Sequence, residues 1–146
     1  MRRAVLFVYL LAAGCSKPQN PEDFHTSDLT LPGGRVLKVE TMITTVDLRR
    51  GMTFRKSLAP DHGMLFVHPT PGMYRYWMYQ IEIPLDIIWI DSDHKIVQMV
   101  VNAQPCKTAP NQCTQYMSPR PAHYVLELAG GMAKKYNLQI GQELVW

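Results

Sequence analysis

Asp86 stands where a carboxylate is least at home. It is set among Ile83, Leu85, Ile87 and Ile88, in the most hydrophobic stretch that follows the N-terminal leader, residues 77–91. Alternation over residues 85–90 sends Leu85, Ile87 and Trp89 to one side and Asp86, Ile88 and Ile90 to the other, as in a strand covered on both faces. An acid so placed must find a partner or give up its charge. Arg55 is the expected partner, since its planar fork suits a carboxylate supplied by the protein or by a ligand. Two roles are therefore open to Asp86. In one it is structural, joined to Arg55 in a buried ion pair or held by backbone N–H groups near Pro84. In the other, Asp86 and Arg55 border a ligand site with Trp77 and Tyr76.

The aromatics Tyr74, Tyr76, Trp77 and Tyr79 are the second chemical feature. On a strand, Tyr74 and Tyr76 share a face with Met78, and Trp77 shares the other with Tyr79. Such a set lines a carbohydrate or aromatic-ligand cleft, or packs a core on both faces of a central strand. Hydrolysis of a carbohydrate-like substrate would need Asp86 paired with Glu82 or Glu127, the two carboxyls about 5–10 Å apart across an open cleft. The chain has no Gly-x-Ser-x-Gly elbow, His-Glu-x-x-His helix or phosphate loop, so no catalytic residue is assigned. His62, Met64, His68, Met73 and Met78 lack the regular spacing of a cuprous site, and methionine is an ordinary gap-filler of cores. Asp91, Asp93 and His94 lack the later ligands of a calcium loop and read as hairpin chemistry. No metal and no cofactor are expected.

The cysteines address the chain. Arg2 and Arg3 precede a short apolar run, and Ala12-Ala13-Gly14 leads to Cys15. This arrangement resembles a bacterial lipobox, with the leucine (Leu11) one place early, and predicts a signal peptide over 1–14 and lipidation of Cys15. The competing interpretation is an ordinary export signal with a coincidental cysteine. Ser16 is not the aspartate that retains lipoproteins at the inner membrane, which favours the outer membrane, facing the periplasm. In that compartment Cys106 and Cys113, close together in a proline-containing loop, are expected to form a disulfide rather than half a zinc site. The net charge of +3 shrinks once Arg2 and Arg3 are set aside, leaving 13 of the 15 basic residues against 12 acidic ones. A chain so near neutral has no electrostatic footprint for nucleic acid.

The elements that must position these residues are short strands between turns. Residues 15–34 read as the lipidated N-terminus and a flexible tether, and 35–146 as one domain. Strands are expected over 35–44, 63–67, 74–79, 85–90, 95–103, 123–128 and 143–146. One or two helical turns are expected in 45–56, limited by Gly51, and a short helix near 132–136. The fold class is all-β, mainly antiparallel, a compact sandwich or barrel with one or two short helices.

The motifs Arg50-Gly51-Met52-Thr53-Phe54-Arg55, Gly63-Met64-Leu65-Phe66-Val67, Tyr76-Trp77-Met78, Ile83-Pro84-Leu85-Asp86-Ile87-Ile88, Asn102-Ala103-Gln104-Pro105-Cys106 and Tyr124-Val125-Leu126-Glu127-Leu128 occur in this order, followed by Gly141. Together they resemble the bacterial and archaeal family called domain of unknown function 192, over roughly residues 36–146. The chain departs from the family pattern at Gly51-Met52-Thr53, where Gly-Leu-Met is usual, and at Gln80-Ile81, where Asn-Thr is usual. The resemblance implies a small β-rich fold and frequent export, and no established activity. The function expected is a non-enzymatic, lipid-anchored envelope domain that binds a small ligand or an envelope protein. An envelope carbohydrate enzyme and a purely structural role without a cleft are the alternatives.

Overall fold

The computed structural model describes residues 26–146; the leader and Cys15 lie outside the described residues. Six strands form one sheet: β1 (Thr26–Thr30), β2 (Val36–Met42), β3 (His62–Gly72), β5 (Leu85–Ile90), β6 (Ile96–Ala103) and β8 (Ala122–Ala129), in the order β1-β2-β3-β8-β5-β6. Between them in the chain, β4 (Arg75–Trp77) and β7 (Gln115–Met117) pair as a separate two-stranded sheet. Only β2 and β3 run parallel, and the connection between them carries helix α1 (Thr45–Arg50), since a parallel pair cannot be joined by a tight turn. The fold is thus mostly strand and mainly antiparallel, as expected, with one parallel pair and no closed barrel.

The sheet is buried on both faces, which is why β5 shows no polar alternation. Leu85, Ile87 and Trp89 join Met42, Met64, Phe66 and Val125 in a core covered by the β4–β7 sheet and the residues around α1. Ile88 and Ile90 join Leu37, Val39, Leu126 and Leu128 in a second core, closed by helix α2 (Met132–Lys135) and the C-terminal residues. Thr44 caps α1, its hydroxyl accepting from the Asp47 amide at 3.2 Å, and Gly51 ends it. Gly51 has φ +44°, which favours glycine, and a Cβ there would crowd the Phe66 ring at 3.2 Å. Asp91 Oδ1 accepts from the Asp93 and Lys95 amides, the Asx turn that closes the β5–β6 hairpin.

Several boundaries differ from expectation: β3 runs on past the expected 63–67 to Gly72, β4 is shorter than 74–79, and β7 was not expected. Residues 26–34, assigned to the tether, enter the domain: β1 pairs with β2, and Leu29 and Leu31 are core residues. Conversely, 143–146 is no strand. Glu143 bridges Lys95 beside edge strand β6, and Val145 bridges Thr30 on the opposite edge strand, β1. A segment shared between two edges makes single bridges instead of a ladder, and it curls the sheet toward closure.

Cys106 and Cys113 are joined, with Cα atoms 5.7 Å apart. The cross-link stabilises the fold by roughly 2–3 kcal/mol on the chain-entropy model. It sits where the β4–β7 sheet meets the main core. The Cys106 amide donates to the Met78 carbonyl at 2.9 Å, just past β4, and Cys113 leads into β7. The loop therefore holds in place the small sheet that carries Tyr76 and Trp77.

Candidate functional site

Asp86 and Arg55 do not meet. Asp86 points into the α2-side core and is fully buried. Its Oδ1 accepts from the amides of Asn102 (2.6 Å) and Gly131 (2.8 Å), and its Oδ2 from Ala133 (2.6 Å). One side chain thereby fastens the end of β6 and the first turn of α2 to β5. Space is tight there, because a Cβ on Gly130 would meet Asn102 Oδ1 at 2.7 Å and Pro84 Cβ at 2.9 Å. Arg55 lies on the other side of the sheet and makes a two-pronged pair with Glu40 on β2, Nη1 to Oε1 at 2.6 Å and Nη2 to Oε2. The expected ion pair is thus replaced by two separate contacts. Backbone N–H groups, the other structural option for Asp86, are its partners, drawn from Asn102, Gly131 and Ala133 rather than from the Pro84 turn.

Trp77 and Tyr76 do border a cleft. It opens beside the end of α1, has a volume of about 380 Å³, and is lined among others by Met52, Phe66, His68, Tyr76, Trp77 and Glu127. Asp86 and Arg55 are not in it. Three strands supply its polar groups. On β8, Glu127 pairs in register with Met64 and Ile87, so it projects from the sheet on the same side as those core residues. On β3, His68 follows Phe66 on that side. On β4, Tyr76 comes down from the small sheet, packing edge-on against Phe66 and Trp89.

Glu127 is the unusual group. It is only 5 % exposed, and its Oε2 has no hydrogen-bond partner. A buried unpaired carboxyl oxygen is costly, and native proteins keep few of them. Burial pushes the Glu127 carboxyl up to about 8, so it holds its proton at neutral pH. Nearby, His68 Nε2 and Tyr76 Oη are 3.1 Å apart, and Tyr74 stacks on the imidazole with ring centroids at 3.4 Å. Burial, and then the charge of His123, press His68 down to about 4. Burial first, and then Glu127 and Tyr74, raise the Tyr76 hydroxyl well above its usual value. At neutral pH these three groups are all uncharged. They offer hydrogen-bond donors and acceptors to a ligand without a fixed charge at the floor.

A glycosidase-like pair does not assemble. In the β5–β8 register Asp86 lies opposite Leu128 and Ile87 opposite Glu127, so the two acids project from opposite faces of the sheet. Glu82 is exposed and does not line the cleft. The residues once compared with a copper site also go separate ways: His62 bonds Asp61 at 2.8 Å, His68 bonds Tyr76, and Met73 is exposed. Among the described residues no three His, Cys, Asp or Glu side chains converge in a metal-holding group. From the sequence, Glu127 was considered only as the second acid of a carboxylate pair with Asp86, and His68 only as a copper ligand; neither was placed with Trp77 and Tyr76. The legible signal was an acid inside the apolar run Tyr124-Val125-Leu126-Glu127-Leu128.

Fold and cleft define a small, two-core β-domain with one buried, unpaired acid facing an aromatic-lined cleft. The chain belongs to the family domain of unknown function 192, described as an uncharacterized ACR, whose model matches residues 29–146. It is similar to a crystal structure from Sinorhizobium meliloti 1021 that carries the provisional name of a transcription regulator. That likeness has 33 % identity and a TM-score of 0.71, and covers 81 % of this chain and 89 % of that one. It is also similar to a crystal structure of a protein of unknown function from Novosphingobium aromaticivorans DSM 12444. There the identity is 26 % and the TM-score 0.78, covering 96 % of this chain and 99 % of that one. No curated protein matches.

Proposed function

We propose that this protein is an exported, lipid-anchored binding module of the bacterial envelope, and that its cleft takes a small ligand. The observation that carries the proposal is Glu127, a buried acid with an unpaired oxygen facing an open, aromatic-lined space. A residue that served packing alone would be apolar at that position, as its cross-strand neighbours Met64 and Ile87 are. Volume and lining suit a small molecule better than a protein surface, because small-ligand sites are concave and mostly apolar with few polar groups. Binding without turnover is favoured over hydrolysis because, among the described residues, no second acid faces Glu127 across the cleft.

The ligand site is tested by adding a chemically mixed fragment library to the ¹⁵N-labelled protein. Amide and indole shifts should cluster at Met52, Tyr76, Trp77 and Glu127. Shifts confined to other surfaces, or none, would overturn the site. The anchor rests on Ala12-Ala13-Gly14-Cys15. A labelled fatty acid fed to expressing cells should mark the wild type and spare Cys15→Ser, and equal labelling of both would refute it.

A further inference from the structure

We infer that the cleft is built for a monosaccharide-sized, hydroxylated acid, with its negative charge at an arginine-bearing mouth and a hydroxyl paired with Glu127 at the floor. This rests on the cleft being a ligand site and names the class of ligand.

The floor sets the first requirement. A protonated carboxyl is one donor and one acceptor, and a ligand hydroxyl complements both at once. A wholly apolar ligand would leave Glu127 Oε2, already shielded from water, still without a partner and so gain nothing from it. A cationic amine would need Glu127 ionised in a site where burial already holds the proton on it. Among the described residues no other acid lines the cleft to share that charge. The groups around the floor are uncharged as well: His68 and Tyr76 are bonded to each other, and Met64 and Ile87 flank Glu127 in the sheet.

The mouth sets the second requirement. Arg49 and Arg50 from the last turn of α1 and Arg75 from β4 line the cleft, and all three are exposed. Arg75 leans on Gln115 at 3.3 Å across the β4–β7 pair, which leaves most of its donors for a ligand. Three guanidinium groups over an uncharged floor select an anion and repel a cation. Trp77, 42 % exposed, and Tyr79 stand together at the mouth with ring centroids 5.4 Å apart. An exposed indole there gives the apolar face of a sugar ring a surface to lie on.

Three probes of one shape and different charge test this: glucuronate, glucose and glucosamine, each titrated into the ¹⁵N-labelled protein at pH 7. Glucuronate should bind at the cleft at least tenfold more tightly than glucosamine, with glucose between them. Glu127→Leu should weaken glucuronate tenfold or more, and Glu127→Gln, whose amide also donates and accepts, should recover most of that loss. Arg49→Ala, Arg50→Ala and Arg75→Ala together should narrow the gap between glucuronate and glucose to less than threefold. Thermal melts of each variant separate lost binding from lost folding. Glucosamine binding best, or Glu127→Gln losing as much as Glu127→Leu, would mean a charged floor and overturn the inference while leaving the ligand site standing. No shift with any sugar, but clustered shifts at the cleft with other fragments, would reject this ligand class alone. No shift at the cleft with anything would remove both.

Discussion

Asp86→Ala is expected to destabilise the domain by roughly 4–6 kcal/mol, enough to unfold most small domains at ordinary temperature. Three backbone donors, from Asn102, Gly131 and Ala133, lose their acceptor at once in a fully buried place. Bonds to a charged group are each worth about 1.5–3 kcal/mol, and donors stranded away from water add their own cost. Asp86→Asn should cost less, roughly 2–4 kcal/mol, because its oxygen still accepts while its amide nitrogen opposes a donor. Arg55→Met breaks only the contact with Glu40, on the other side of the sheet. Urea melts of the two single variants and the double should therefore give losses that add within about 0.5 kcal/mol. A double variant that recovers a kilocalorie or more would restore the ion pair that the geometry lacks.

Glu127→Gln is expected to stabilise the protein at neutral and mildly alkaline pH. The folded acid, held at about 8 by burial, keeps a proton that the unfolded chain releases near 4.5. Between those values the folded state binds more protons, so stability falls as pH rises through the window, and it is flat above it. The full span corresponds to roughly 5 kcal/mol, of which about 3 are already lost at pH 7. His68 has the opposite sign. Its folded value of about 4 lies below the unfolded 6.5, so its contribution is present above 6.5 and is lost as pH falls toward 4.

The two slopes largely cancel between 4.5 and 6.5. Wild type should show a plateau there, followed by a fall of roughly 2 kcal/mol from pH 6.5 to 8. The groups around the pair are His123 on β8, common to both proteins, and the tyrosines Tyr74 and Tyr76, of which Tyr76 titrates far above this range. The difference between wild type and Glu127→Gln therefore isolates Glu127. Denaturation across pH 4–9 reads it directly, and parallel curves for the two proteins would refute it. A side chain kept at such a cost to stability is what a binding group is expected to be.

How far the sequence carried depended on where the partners lie. The two faces of β5 were legible because alternation within one strand fixes which residues share a side. The disulfide followed from spacing together with an expected export signal, and the hairpin at Asp91 from local turn chemistry. Strand β1 was missed because Thr26–Thr30 holds one apolar residue, Leu29, and takes its order from pairing with β2. The partners of Asp86 are main-chain amides, which no side-chain pattern reveals. A conspicuous arginine was therefore chosen in their place. The cleft was half visible. Trp77 and Tyr76 stood out as aromatics, but His68 and Glu127 reach them from β3 and β8 only through sheet register. That same register parts Asp86 from Glu127, which neither residue's neighbours could disclose.

The most direct measurement is the ¹³C shift of the Glu127 carboxyl carbon followed from pH 4 to 10, assigned by its loss in Glu127→Gln. A midpoint near 8 is predicted, and with glucuronate bound it should move higher, since a ligand that pairs with the protonated acid holds its proton more tightly. A midpoint near 4.5, unmoved by any ligand, would show an acid that is solvated or already paired, and the cleft would then have no unsatisfied group for a ligand to meet.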